Sequence, residues 1–242
     1  MQAMLDLDDH HWWYRGRRRI IRSELDRLVL PAGAKVLDAG CGSGRTLTEL
    51  APYGEVFGIE LDPEAAEVAR SRDAGEVVIG RLEEMPWESD TFDLITCLDV
   101  IEHTPDDRAT LRELRRVCKP GGWLLVTVPA YQALWSQHDD ANHHFRRYRR
   151  RSLRAAALDS GWRSLRMTSF NSLLFPPAAA VRLAQRARPS TDYKPDLELG
   201  PVWLNSVLEH PLRLEAGWLA RGHTLPVGLS LMAVLENPGP AT

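Results

Sequence analysis

The stretch Val36-Leu-Asp-Ala-Gly-Cys-Gly-Ser-Gly44 decides how this chain is read. An apolar run suited to a buried strand passes straight into three glycines at alternate positions, Gly40, Gly42 and Gly44, and then into a short helical segment. Glycine is needed there because the turn is tight and a ligand must approach the backbone where a Cβ would otherwise stand. A dinucleotide turn of the form G-x-G-x-x-G carries glycine at the sixth position, so that helix and strand can pack closely. Here that position is Arg45, and the third glycine comes one residue early. Asp38, ahead of the first glycine, would repel a pyrophosphate. It suits a ligand with an ammonium group, met through a water or by bracing of the loop.

Outward from this stretch the chain alternates regularly. Lys35–Ala39, Glu55–Ile59, Val77–Ile79, Phe92–Cys97 and Trp123–Val128 read as short strands. Between them Thr46–Leu50, Pro63–Arg70 and Asp106–Cys118 read as helices, the last with Leu111, Leu114 and Val117 on one face and Lys119-Pro-Gly-Gly122 as its stop. Such an alternation predicts a parallel sheet covered on both faces, with the ligand at the carboxyl ends of the strands. A helix is expected from Trp12 to Leu30, ended by Pro31 and Gly33. Beyond Val128 we expect a polar and aromatic loop over Pro129–Tyr148, a helix over Arg151–Ser160 and a strand over Trp162–Phe170. Two further helices, Pro176–Arg188 and Val202–Arg221, are joined by the polar stretch Pro189–Gly200, and Gly228–Glu236 is the last strand. The two late helices form an insertion, about residues 172–224, that caps a site or supports a homodimer.

Composition excludes several classes. The 242 residues are 44% hydrophobic and 26% charged with a formal net charge of −3, which is ordinary for a globular protein and gives no general pull toward nucleic acid. Cys41, Cys97 and Cys118 are scattered and odd in number, which argues for reduced thiols and a cytoplasmic location. The N-terminus is acidic and has no apolar h-region, so no signal peptide is expected. The run Leu173–Val181 holds two prolines and is too short for a transmembrane segment.

Three more segments carry chemistry. Glu60 ends the second strand, eighteen residues after Gly42, where a carboxylate can accept hydrogen bonds from both hydroxyls of a ribose. The alternative is that it caps the helix starting at Pro63, a task for which Asp62 is better placed. Gly80-Arg-Leu-Glu-Glu-Met-Pro86 follows the third strand, where an adenine ring would sit on apolar side chains. Phe92 to His103 is a strand whose end delivers Leu98, Asp99 and His103 to the ligand crevice.

As an ordered set over residues 30–130, with Leu111 through the Lys119-Pro-Gly-Gly122 stop, these segments resemble the class I S-adenosylmethionine-dependent methyltransferases. The resemblance implies a Rossmann-like α/β fold: a seven-stranded sheet, mostly parallel with the last strand antiparallel, and helices on both faces. It implies that S-adenosylmethionine is bound and S-adenosylhomocysteine released. Asp38, Gly40, Cys41, Gly42 and Gly44 would hold the amino acid end and Glu60 the ribose. Leu61 would lie on the adenine, with Arg81, Leu82 and Glu83 at its edge, and Leu98 would offer its carbonyl to the methionine amine. Asp99 and His103 would line the same crevice. Position 81 departs from the pattern, since many relatives have Asp there to receive the adenine amino group. Residues 1–242 then read as one domain: an N-terminal helix or lid (1–30), a cofactor-binding core (31–130) and an acceptor side (131–242).

Outside the core, His11-Trp-Trp-Tyr-Arg-Gly-Arg-Arg18 resembles an N-terminal lid of some bacterial relatives, and Ala130 to Tyr148 a loop over the acceptor. Trp13, with Trp12 and Tyr14, would wall the sulfonium or dock the first helix. Methyl transfer is an in-line displacement, so alignment is the main task. A hydroxyl acceptor also needs a base, and His138, Asp139 and His144 are the candidates, ahead of His143 and His103. The expected acceptor is a small or lipid-linked molecule, methylated at oxygen or nitrogen. His10, His11, His138, Asp139, His143 and His144 match no metal-site spacing, so no metal is expected. Two alternatives stand beside this reading. The arginines between Arg146 and Arg154 would suit an RNA methyltransferase, although net acidity and the absence of an Asn/Asp-Pro-Pro-Tyr motif after the fourth strand oppose nucleic acid. The other is a non-catalytic cofactor-binding protein.

Overall fold

Seven strands form one sheet in the order β3-β2-β1-β4-β5-β7-β6. They are β1 (Lys35–Ala39), β2 (Glu55–Glu60), β3 (Glu76–Ile79), β4 (Phe92–Leu98), β5 (Cys118–Pro129), β6 (Arg163–Phe170) and β7 (Ser230–Glu236). The computed structural model describes residues 11–187 and 202–239. His10 and the rest of the N-terminal decapeptide, the polar stretch 189–200 and the last three residues of the tail lie outside the described residues.

The pairs β3–β2, β2–β1, β1–β4 and β4–β5 are parallel. β7 runs the other way: Gly121 N–H donates to Asn237 O at 2.8 Å and Asn237 N–H to Gly122 O at 3.0 Å, a reciprocal antiparallel exchange. Strand order reverses between β1 and β4, and an open parallel sheet of this kind binds its ligand beyond the carboxyl ends of the strands at that reversal. Both strand ends are the segments singled out in the sequence, Ala39-Gly40 and Leu98-Asp99.

Two compact units are distinguished. The sheet unit comprises Val29–Val128, Arg150–Met167 and the chain from Met232 onward. Its helices are α2 (Arg45–Leu50), α3 (Pro63–Ser71), α4 (Asp107–Val117) and α6 (Arg150–Asp159). Val36, Leu37, Leu94, Ile95, Leu124 and Val126 are fully buried, as expected for strands covered on both faces. On α4, Leu111, Leu114 and Val117 are fully buried as the periodicity predicts. Trp162 closes the α4–α6 seam, its indole N–H donating to Leu111 O at 2.9 Å. Cys41, Cys97 and Cys118 are free buried thiols. Burial pushes Cys118 up to about 12, so it is held neutral.

The helical unit comprises the chain up to Leu28, Pro129–Arg149 and Thr168–Leu231. It holds α1 (Trp12–Leu25), α5 (Gln137–Ala141), α7 (Phe175–Ala187) and α8 (Val202–Ala220). α1 packs on α8, where a Cβ on Gly16 would stand 2.3 Å from Leu212 Cδ1. Buried Glu209 of α8 receives Arg15 at 3.2 Å and Arg19 at 3.1 Å. On α1, Gly16, Ile20 and Ile21 are buried, and Trp12, Trp13 and Tyr14 are half-buried. No described helix is long and apolar enough to cross a membrane.

Four boundaries differ from the expectations. α1 stops at Leu25 instead of Leu30, because Arg27 N–H bonds to Glu24 O and Leu28 N–H to Leu25 O in a tightened last turn. Leu30, before Pro31, is also disfavoured in a helix. β5 starts at Cys118, and Lys119–Gly122 bulges out of register between the pairs Phe92–Cys118 and Leu94–Trp123. His103 does not open a helix; it ends the 3-10 turn Ile101–His103, and α4 is capped by Asp106. The expected loop Pro129–Tyr148 contains the short helix α5, started by a capping box between Ser136 and Asp139.

Candidate functional site

The glycine turn is built by backbone geometry. Gly40, Gly42 and Gly44 have φ of +80°, +52° and +78°, left-handed values that a side chain strains. Gly40 and Gly44 are also sterically required. A Cβ on Gly40 would lie 2.6 Å from Val100 Cγ2, and one on Gly44 2.7 Å from the Cα of Ala69. A Cβ on Gly42 would meet nothing within 4 Å, so it would project into open space over the turn. The turn is pinned from below by Gly40 N–H and Cys41 N–H, which donate to Ile59 O at 2.9 and 3.1 Å. Arg72 Nε donates to Ser43 O at 2.7 Å.

Glu60 stands beside it. Its Oε2 accepts from Gly42 N–H at 2.8 Å, and its Oε1 from Leu61 N–H at 2.8 Å and Asp62 N–H at 2.9 Å. Helix α3 is capped by Asp62, which accepts from Glu64 N–H at 2.8 Å, so capping does not account for Glu60. A carboxylate has about four acceptor sites, so the three N–H groups leave capacity for a hydroxyl donor. Asp38 is buried and accepts from Thr96 Oγ1 at 2.6 Å, which braces β1 against β4 under the turn. The open Gly42 position and the carboxylate of Glu60 fit, respectively, the amino acid end and the ribose of S-adenosylmethionine.

Leu98 ends β4, and Asp99 follows at φ +58° with its N–H bonded to Thr127 O at 3.0 Å. His103 is exposed. In the loop after β3, Leu82 is buried, and exposed Arg81 pairs with Glu83 at 3.6 Å, while Leu61 is 59% exposed. Residues that the sequence reading missed hold this loop. Glu113 accepts from Met85 N–H at 2.9 Å, and Arg116 donates to Trp87 O at 2.8 Å and Met85 O at 3.1 Å. The two also pair at 2.7 Å, and the Arg116 guanidinium keeps the Glu113 carboxyl below its ordinary range. Their i,i+3 spacing on α4 was the available signal.

In the helical unit, Trp13 lies on α1 edge-to-face with Tyr14 at 4.9 Å, and the Arg17 guanidinium sits 5.3 Å from its ring centre. His138, Asp139 and His144 come together. Asp139 is fully buried and receives Arg147 Nε at 2.7 Å and Arg147 Nη2 at 2.8 Å, and its Oδ1 lies 2.8 Å from His144 Nδ1. The His138 and His144 rings meet edge-on at 6.3 Å. Arg147, read as part of a basic run, is thus taken up by a buried carboxylate, and Arg150 donates to Met167 O at 3.2 Å.

Comparison with known proteins agrees with this geometry. Residues 37–126 match the family model described as a methyltransferase domain. Over 105 residues the chain is 38% identical to the ubiquinone biosynthesis O-methyltransferase of Xanthomonas axonopodis pv. citri, covering 40% of this chain and 44% of that relative. The match thus spans less than half the relative's length. A geranyl diphosphate methyltransferase solved with GPP and sinefungin has the same fold, with a TM-score of 0.61 at 16% identity over 90% of this chain and 78% of that one. So does a TehB-like S-adenosylmethionine-dependent methyltransferase from Corynebacterium glutamicum, with a TM-score of 0.53 at 21% identity over 91% and 86%.

Proposed function

We propose that the chain transfers the methyl group of S-adenosylmethionine to a small molecule, a reading supported by the match of residues 37–126 to a methyltransferase-domain model. The observation that carries the reading is the Gly42–Glu60 contact at the carboxyl ends of β1 and β2, beside a glycine whose Cβ position is open. When bound, S-adenosylmethionine supplies a methyl group made electrophilic by a sulfonium.

The chain's residues do the rest. Backbone from Asp38 to Gly44 holds the amino acid end, and Glu60 accepts from a ribose hydroxyl. Leu61 lies on the adenine, Arg81, Leu82 and Glu83 bound its edge, and the Leu98 carbonyl meets the methionine amine. Asp99 and His103 complete the crevice at the end of β4. Methyl transfer to oxygen is favoured over nitrogen by the relative named as an O-methyltransferase. A lipid-linked acceptor falls within the same class. A hydroxyl must lose its proton as it is methylated, which calls for a base, and His138 and His144 are the groups suited to it.

Calorimetric titration with S-adenosylhomocysteine, with NAD as control, tests the reading. Micromolar binding of the former alone is expected. Binding of NAD, or of neither, would overturn it.

A further inference from the structure

The geometry points to Arg72 as a positioning residue of the cofactor site. Its guanidinium holds the Ser43 carbonyl and thereby sets the glycine turn that takes the amino acid end of S-adenosylmethionine. This rests on the methyl-transfer reading above.

Three left-handed glycines between positions 40 and 44 leave this segment with little conformational preference of its own, because glycine loses more freedom on ordering than any other residue. Ordering left until a ligand arrives is subtracted from its affinity, so the turn has to be held from outside. Its first half is held by β2: Gly40 N–H and Cys41 N–H reach Ile59 O, and Gly42 N–H reaches Glu60. Its second half is held by the far end of α3. Gly44 lies against Ala69, where a Cβ would come within 2.7 Å of the Cα, and Arg72 Nε donates to Ser43 O at 2.7 Å. Gly44 N–H closes the loop onto Cys41 O at 2.9 Å. That N–H and the carbonyl held by Arg72 belong to one planar peptide group, so both of its polar ends are fixed. The segment Glu60–Arg72 thus starts at the carboxylate given to the ribose and ends at the turn given to the amino acid.

Closing the helix does not account for the Arg72 side chain. Its backbone N–H already bonds to Ala69 O at 3.2 Å, whereas the guanidinium reaches buried Ser43, 29 residues earlier. Among the described residues its buried Nη2 has no hydrogen-bond partner, so Nε makes the contact with the turn. A contact through Nε lets the hydrogen bond be separated from the charge. Glutamine places its Nε2 as many bonds from the backbone as arginine Nε, and keeps the donor without the charge. Lysine places a methylene there, and keeps the charge without the donor.

Calorimetry with S-adenosylhomocysteine on full-chain Arg72→Lys and Arg72→Gln tests this. Arg72→Lys is expected to bind about tenfold more weakly than the parent, as for the loss of one hydrogen bond from a charged donor. Arg72→Gln is expected to lose only about threefold, because a neutral donor has roughly half the strength of a charged one. 5′-Methylthioadenosine, which has the ribose and adenine but no amino acid, is expected to bind all three proteins alike. Without ligand, hydrogen exchange over residues 41–44 is expected to quicken in Arg72→Lys and to stay slow in Arg72→Gln. Parent-like binding by Arg72→Lys, an equal loss in both variants, or a loss shared by 5′-methylthioadenosine overturns the inference. An Arg72→Lys chain that does not fold overturns it too, because the contact then serves stability and not the site. Failure of S-adenosylhomocysteine to bind the parent would sink the methyl-transfer reading, while the exchange comparison would still show whether Arg72 sets the turn.

Discussion

The carboxylate of Glu60 takes a 2.8 Å hydrogen bond from the backbone N–H of Gly42, which ties the end of β2 to the turn that follows β1. The ribose reading requires the same carboxylate to accept from a hydroxyl. One hydrogen bond to a charged group is worth about 1.5–3 kcal/mol, or roughly tenfold to a hundredfold in affinity. Glu60→Ala should weaken S-adenosylhomocysteine binding by about that factor, with a small fall in melting temperature. A variant that binds as tightly as the parent in calorimetry would remove Glu60 from the ribose.

The glycines separate ligand binding from folding. Gly42→Ala meets open space and suffers only the left-handed backbone strain, about 1–2 kcal/mol, or a few degrees in a chain of this size. Gly44→Ala carries that strain and also drives a Cβ to 2.7 Å from the Cα of Ala69, a backbone atom that cannot rotate away. Gly44→Ala should therefore lower the melting temperature clearly more, while Gly42→Ala loses S-adenosylhomocysteine binding and stays folded. Equal melting temperatures, or parent-like binding by Gly42→Ala, would contradict this division.

The sheet and the glycine turn were legible because their causes are local. Apolar runs such as Leu94–Cys97 announce strands, and Gly40 to Gly44 announce a turn that only glycine tolerates. The misread parts depend on partners far along the chain or on signals without apolar period. Helix α5 is five residues, four of them polar, visible only through the Ser136–Asp139 cap. Asp139 reads as a solvated acid until Arg147 folds onto it. The Glu113–Arg116 pair reads as a surface salt bridge until the backbone of Met85 and Trp87 comes to lie on it. The end of α1 turned on a 3-10 turn rather than on Pro31.

That pair makes its own prediction. Arg116→Ala leaves the carbonyls of Met85 and Trp87 without their donor, at a cost of about 1–3 kcal/mol. Hydrogen exchange over residues 82–87 should quicken while β1 and β4 keep their protection. Affinity for S-adenosylhomocysteine should fall several-fold, because the adenine edge is then loose. Exchange that stays slow in the variant would show that the loop is held by other contacts.

Two buried carboxyls of the helical unit should give opposite pH dependence. Asp139 titrates below its ordinary value of 3.8 in the folded chain, so its stabilisation is complete above that value and is lost as pH falls toward the lowered one. Asp139→Asn leaves Arg147 buried without its counter-charge, at a cost of about 3–5 kcal/mol near neutrality. The stability gap between parent and variant should shrink as pH drops below about 4. Glu215 is the reverse case. Burial raises its carboxyl above the ordinary 4.5, against the opposing hydrogen bonds from Leu173 and Ser172, so the folded state holds the proton more tightly than the unfolded one. Parent stability therefore falls as pH rises from 4.5 through the raised value. Glu215→Gln keeps a carbonyl for those two N–H groups and carries no charge, so its melting temperature relative to the parent should climb over that window. Melting curves across pH 3–7 would settle both signs. A gap that does not vary with pH would mean that the carboxyl in question titrates alike in the folded and unfolded states.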